Sequence, residues 1–262
     1  MGDVVREQQG NVAIVTLSRP DRMNTISQPM LLELSDVLLG CDRDPEVRAI
    51  LLTGSGQAFC AGLDLHDAAS DEGISRGGFP QAMKLDQRTF PTIVLREIDT
   101  PVICVINGGA AGFGLDLALS CDIRFCAAHA KLAASYTRRG VFPDMGGTWL
   151  LPRVLGWSKA AELVFSGRTL NAEEAERIGL VDRVFEAPQL MSRAVALAEE
   201  IASSAPMAVQ AAKRMMRAGL QEGFADHVQR SYLQVRLLVE TKDFAEGVTA
   251  FLDKRPPHFT GT

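Results

Sequence analysis

Short, unbroken apolar runs alternate with glycine-bearing turns from residue 11 to residue 185, and helical spacing takes over from residue 190 onward. The β-branched stretch 11–18 and the runs 47–53, 101–106 and 123–127 predict strands. Residues 59–65 predict a further strand with a glycine turn behind it, and 131–135 and 180–185 predict two shorter ones. Ser27 is placed to cap a helix over 29–39, in which Met30, Leu31, Leu34, Val37 and Leu38 share one face. A helix over 83–98 is expected to kink or take its first turn at Pro91, and a buried helix is expected over 115–120. Asn171 and Glu174 fit a capping box whose short helix ends at Gly179. From 190 to 252 the pattern is helical, with breaks near Pro206, Gly219 to Gly223 and Thr241. Polar residues 66–88 read as a long loop of the kind that often carries function. The order is β–β–α units followed by an all-helical end, which predicts an α/β protein.

The centre of this pattern is the run from Ile106 to Asp122. A buried strand is followed by Gly108, Gly109, Gly112 and Gly114, and then by the buried helix. A strand, a glycine turn and a helix start aim free backbone N–H groups at one point, which suits an anion or an oxygen that becomes one during a reaction. Glycines that only permit close packing are the competing reading. A dinucleotide fingerprint fails because Leu117 stands where its third glycine belongs, and no Gly-Lys-Ser/Thr ends the loop as a phosphate cradle requires.

Composition narrows the partners. Hydrophobic residues make up 47% of the 262, enough for a large core. The net charge is −5 and no basic block stands out, which argues against nucleic acid. The five cysteines include no Cys-x-x-Cys pair, and the four histidines are scattered, so buried thiols and no metal site are expected. No apolar run approaches the ~18 residues of a membrane span, and the N-terminus lacks a signal-peptide core, so a cytoplasmic protein without membrane contact is expected.

Three segments, Phe59-Cys60-Ala61-Gly62-Leu63-Asp64-Leu65, Asn107-Gly108-Gly109-Ala110-Ala111-Gly112-Phe113-Gly114 and Pro143-Asp144-Met145-Gly146-Gly147-Thr148, resemble the enoyl-CoA hydratase/isomerase (crotonase) family in content, order and separation. The likeness runs from the first strand to Phe251-Leu252-Asp253-Lys254-Arg255. It implies a crotonase-type spiral of ββα units, with residues 1–200 as the acyl-CoA-binding core and 201–262 as a helical trimerisation region. It also implies a homotrimer or dimer of trimers, an acyl-CoA substrate, and no cofactor beyond the CoA moiety. By position, the backbone N–H groups of Leu63 and Phe113 would form the oxyanion hole for the thioester oxygen. Arg22 and Met23, in the loop with Asn24, and Ala61 and Leu65 would line the CoA. Phe251 and Lys254 would be supplied by a neighbouring subunit, although Lys254-Arg255 also reads as a solvated pair. His66 stands where some members carry Lys.

Hydration in this family resembles a task for two glutamates that hold one water. Here those positions carry Asp116 and Tyr136, and tyrosine is a poor base at neutral pH. Asp144 matches an acidic position of the family's isomerases. The likeness to the ring-epoxyphenylacetyl-CoA isomerase group includes Trp149-Leu150-Leu151-Pro152-Arg153 and Glu246-Gly247-Val248. The expected activity is therefore a double-bond shift from 3-enoyl to 2-enoyl ester, with Asp144 as proton shuttle in an apolar pocket and Asp116 assisting. An N-cap role for Asp144, a helix-dipole role for Asp116 and a pocket-wall role for Tyr136 are the structural counterparts. A trans-2-enoyl-CoA hydratase using Asp116, and a non-catalytic acyl-CoA binder, are the alternative functions.

Overall fold

A computed structural model describes residues 2–64 and 90–262. The first sheet contains β1 (Val4–Gln9), β2 (Val12–Leu17), β3 (Ala49–Gly54), β5 (Val102–Ile106), β7 (Ile123–Ala127) and β10 (Arg183–Phe185), hydrogen-bonded in that order. Only the β1–β2 hairpin is antiparallel in it; the remaining pairs are parallel. The second sheet contains β4 (Ala58–Cys60), β6 (Gly109–Ala111), β8 (Lys131–Ala133) and β9 (Thr169–Asn171). Thus β3, β5 and β7 each build the first sheet and are followed by β4, β6 or β8 in the second. This is the spiral of ββα units that the resemblance implies. Parallel strands covered on both faces are apolar nearly throughout, and β3 and β5 are buried along their whole length.

The helices are α1 (Gln28–Arg43), α2 (Pro91–Glu97), α3 (Phe113–Ser120), α4 (Gly147–Leu155), α5 (Trp157–Ser166), α6 (Ala172–Ile178), α7 (Ala187–Ala202), α8 (Pro206–Gly219), α9 (Phe224–Leu238) and α10 (Lys242–Asp253). Ser27 caps α1 and Asn171 caps α6, each accepting a backbone N–H, and Gly179 ends α6 at φ +84°. The helix expected over 83–98 starts at Pro91, whose missing N–H suits the first turn; residues 83–89 and the loop 66–88 lie outside the described residues.

α7 lies across β2, β3, β5, β7 and β10. α8 is tied to the core by Lys213, whose ammonium donates to Thr100 O at 2.8 Å and pairs with Asp122 at 2.6 Å. Beyond it α9 has no buried residue, although Phe224, Tyr232, Leu233 and Leu237 lie on it. Among the described residues no helix is long and apolar enough to cross a membrane. The five cysteines are free and buried.

Candidate active site

The turn after β4 and the turn after β6 are brought together by glycine. Gly62 has φ +108°, and a Cβ there would sit 3.0 Å from Ala111 O and 3.8 Å from Phe113 N. At Gly114 a Cβ would overlap Cys60 O, so only glycine lets the first turn of α3 press against β4. Ile26 bridges Leu63, but the bridge uses the neighbours: Ile26 N–H donates to Gly62 O and Asp64 N–H to Ile26 O. The N–H groups of Leu63 and Phe113 donate to no backbone carbonyl among the described residues. Phe113 opens α3, so its N–H also carries the positive end of the helix dipole.

Asp116 follows one turn into α3 and is 1% exposed. Its Oδ1 lies 2.7 Å from the Tyr136 hydroxyl, and its Oδ2 is buried without a hydrogen bond. Burial pushes the carboxyl up to about 7; nearby Asp144 adds to this, while the Tyr136 hydroxyl and the Met145 amide pull the other way. Tyr136 is therefore a buried hydrogen-bond partner of Asp116 and forms no part of the cavity wall that Asp144 lines. Burial drives its own pKa far above the ordinary value, the neighbouring carboxyl adds to this, and the phenol stays protonated. The hydroxyl also lies 2.7 Å from Gly112 O.

Asp144 does not cap a helix: α4 starts at Gly147, and its N-cap is Gly146 at φ +110°. Nor is Asp144 sunk in an apolar pocket. It is exposed, on the wall of a cavity of about 470 Å³ shared with Phe90, Ile93, Arg96, Met145, Trp149 and Leu150. Gly147 lets this turn approach α3, since a Cβ there would overlap Asp116 Oδ1. Arg153 stacks on Trp149 at 3.8 Å, and Arg96 lies 5.7 Å from the same ring. Arg96 and Phe90 were not legible as site residues because they belong to no motif.

The expected CoA contacts divide. Met23 O accepts the Ala61 N–H at 3.1 Å, so this loop and the β4 turn are adjacent. Arg22 pairs with the buried Asp64 at 3.2 Å, and Arg19 with the same oxygen at 3.1 Å. Asn24 is fully buried: its side chain donates to Ser55 O and Ala58 O and accepts the Arg19 N–H, which makes it a loop staple. Phe251, 83% exposed, and Lys254 sit at the end of α10, and neither lines the Asp144 cavity. Leu65 and His66 lie outside the described residues. No cluster able to hold a metal ion occurs among the described residues.

The turn after β4 and the start of α3 are thus in contact, and a separate cavity carries the Asp144 carboxylate. The chain belongs to the enoyl-CoA hydratase/isomerase family, whose profile matches residues 7–262. It is 35% identical over 260 residues to the 1,2-epoxyphenylacetyl-CoA isomerase of Escherichia coli, covering 98% of both chains. It is 34% identical to the short-chain-enoyl-CoA hydratase of Clostridium acetobutylicum, covering 97% of this chain and 96% of that one. Its fold matches an enoyl-CoA hydratase crystal structure from Bacillus anthracis at TM-score 0.92 and 34% identity, over 100% of both chains. It is thus an enzyme of the crotonase type acting on acyl-CoA.

Proposed function

We propose that the enzyme shifts the double bond of a 3-enoyl-CoA to the 2-position, with Asp144 as the proton shuttle. The thioester oxygen accepts hydrogen bonds from the Leu63 and Phe113 N–H groups. Asp144 removes a proton from C2, leaving a dienolate whose charge rests on that oxygen, and returns the proton to C4. The observation carrying this reading is the division between the two aspartates. Asp144 is exposed on a cavity wall, whereas Asp116 is sealed and bound to the tyrosine that fills the second glutamate position. A two-carboxylate grip on water needs both groups open to the same molecule. Isomerase and hydratase relatives are equally similar, so identity favours neither activity.

A 3-enoyl-CoA and a trans-2-enoyl-CoA offered side by side test the proposal. The expected result is conversion of the first to the conjugated ester, with little water added to the second. Rapid hydration of the 2-enoyl ester without isomerisation would establish the hydratase alternative. Tight CoA-ester binding with no turnover of either would establish the non-catalytic binder.

In this reading the CoA moiety runs along Arg22, Met23, Ala61 and Leu65. The apolar side chains of α9 and α10 suit a homotrimer or dimer of trimers, in which Phe251 and Lys254 reach a neighbouring subunit's CoA. Sedimentation of the full chain as a monomer at working concentration would remove this part of the proposal.

A further inference from the structure

The Tyr136 hydroxyl has one hydrogen but two oxygen neighbours, Gly112 O and Asp116 Oδ1, each at 2.7 Å. A carbonyl oxygen can only accept. If Asp116 is ionised, the single hydrogen serves one oxygen and leaves the other in close contact without a proton. If Asp116 holds a proton on Oδ1, both contacts become hydrogen bonds: the carboxyl donates to the tyrosine, and the tyrosine donates to Gly112 O. The bare, buried Oδ2 is then a neutral carbonyl oxygen, which costs far less than half of an unsolvated charge.

Gly112 C=O and Phe113 N–H belong to one peptide unit. A donor on its oxygen fixes the plane and polarises the N–H at the other end. We propose that Asp116 and Tyr136 form a clamp on the Gly112–Phe113 peptide, with neutral Asp116 orienting the Tyr136 hydroxyl onto Gly112 O, so that both are positioning residues for the oxyanion hole. This rests on the oxyanion reading given above. It takes Asp116 out of the proton transfers, in keeping with its sealed oxygens.

The clamp has a proton-dependent release. When Asp116 ionises, its carboxylate becomes the stronger acceptor, and the Tyr136 hydrogen swings to it from Gly112 O. The groups facing Asp116 are Tyr136, from the segment after β8, and Asp144, from the loop before α4. Cys60 on β4 remains a neutral thiol, pushed up to about 12 by burial, and Arg96 on α2 lines the Asp144 cavity instead. With Asp116 near 7, the released state is reached just above neutrality.

Two variants and two readouts test this. Tyr136→Phe keeps the ring and removes the hydroxyl; it is expected to lower kcat/KM about tenfold, the worth of one hydrogen bond. Asp116→Asn retains an N–H donor toward Tyr136 and cannot ionise. It is expected to abolish the alkaline decline in kcat/KM. Loss of activity at every pH in Asp116→Asn would overturn the clamp and make Asp116 an acid/base group. The second readout needs no turnover: the side-chain carboxyl ¹³C signal of Asp116, followed by NMR in the free enzyme. It is expected to titrate near neutrality, and at higher pH in Tyr136→Phe, where the carboxylate has lost its O–H donor. A titration in the ordinary aspartate range would refute the clamp even if isomerisation were observed. The expected titration without any isomerase activity would leave the clamp standing and sink the reaction assigned above.

Discussion

Asp144→Asn is expected to reduce kcat for 3-enoyl-CoA isomerisation by about a thousandfold or more, while the Kd of an unreactive acyl-CoA thioester changes little. A positioned general base contributes roughly 10²–10⁴ in rate. Here one group serves as base and then as acid, so the loss falls in the upper part of that range. The amide keeps the shape of the carboxylate and accepts no proton. Binding persists because the residues assigned to the CoA moiety, Arg22, Met23 and Ala61, lie around a different turn, held by the Met23 O to Ala61 N–H bond. Turnover against stopped-flow or calorimetric binding separates the two effects. Retained turnover in this variant would exclude Asp144 as the shuttle.

Asp116→Asn is expected to stabilise the protein above neutral pH, by an amount that fades as the pH falls. An unfolded aspartate titrates near 3.8, whereas burial raises Asp116 in the fold to about 7. Between these values the folded protein retains a proton that the unfolded chain has released. Stability therefore falls as pH rises through this window, and it is fully present only below it. The whole gap corresponds to an upper bound of roughly 4 kcal/mol once both states are ionised. Asparagine does not titrate and so avoids the loss. Denaturant midpoints at pH 8 are expected to favour the variant by on the order of 2–4 kcal/mol, with the difference shrinking toward pH 4. A gain of the same size at both pH values would mean that the amide packs better and that Asp116 is not held neutral.

The strands were legible from their pattern, whereas the spiral that joins them was implied only by the resemblance to the family. A strand buried on both faces is apolar nearly throughout: β5 is an unbroken apolar run, and β3 departs from one only at Thr53, whose hydroxyl donates to Val105 O. The helix caps at Ser27 and Asn171 were legible because capping is local. Gly62, Gly112 and Gly114 marked the turns, since each position either needs a positive φ or admits no Cβ. What the chain did not disclose depends on distance between segments. Nothing near Asp144 in sequence shows that its helix cap is supplied by Gly146 or that its carboxylate stays exposed. Nothing near Tyr136 shows that its hydroxyl meets the residue twenty positions earlier and a carbonyl of the glycine turn. Asn24 looked like part of a ligand loop, yet its amide is consumed by four bonds within the protein. That the Leu63 and Phe113 N–H groups donate to no backbone carbonyl among the described residues is likewise a property of the assembled turns.

The most direct test of the whole account is a crystal structure of the enzyme with an unreactive acyl-CoA thioester. The thioester oxygen is expected to lie about 2.7–3.1 Å from both the Leu63 and the Phe113 nitrogen, with the acyl chain running toward Asp144. A thioester oxygen bound anywhere else, with those two N–H groups facing solvent or one another, would contradict it.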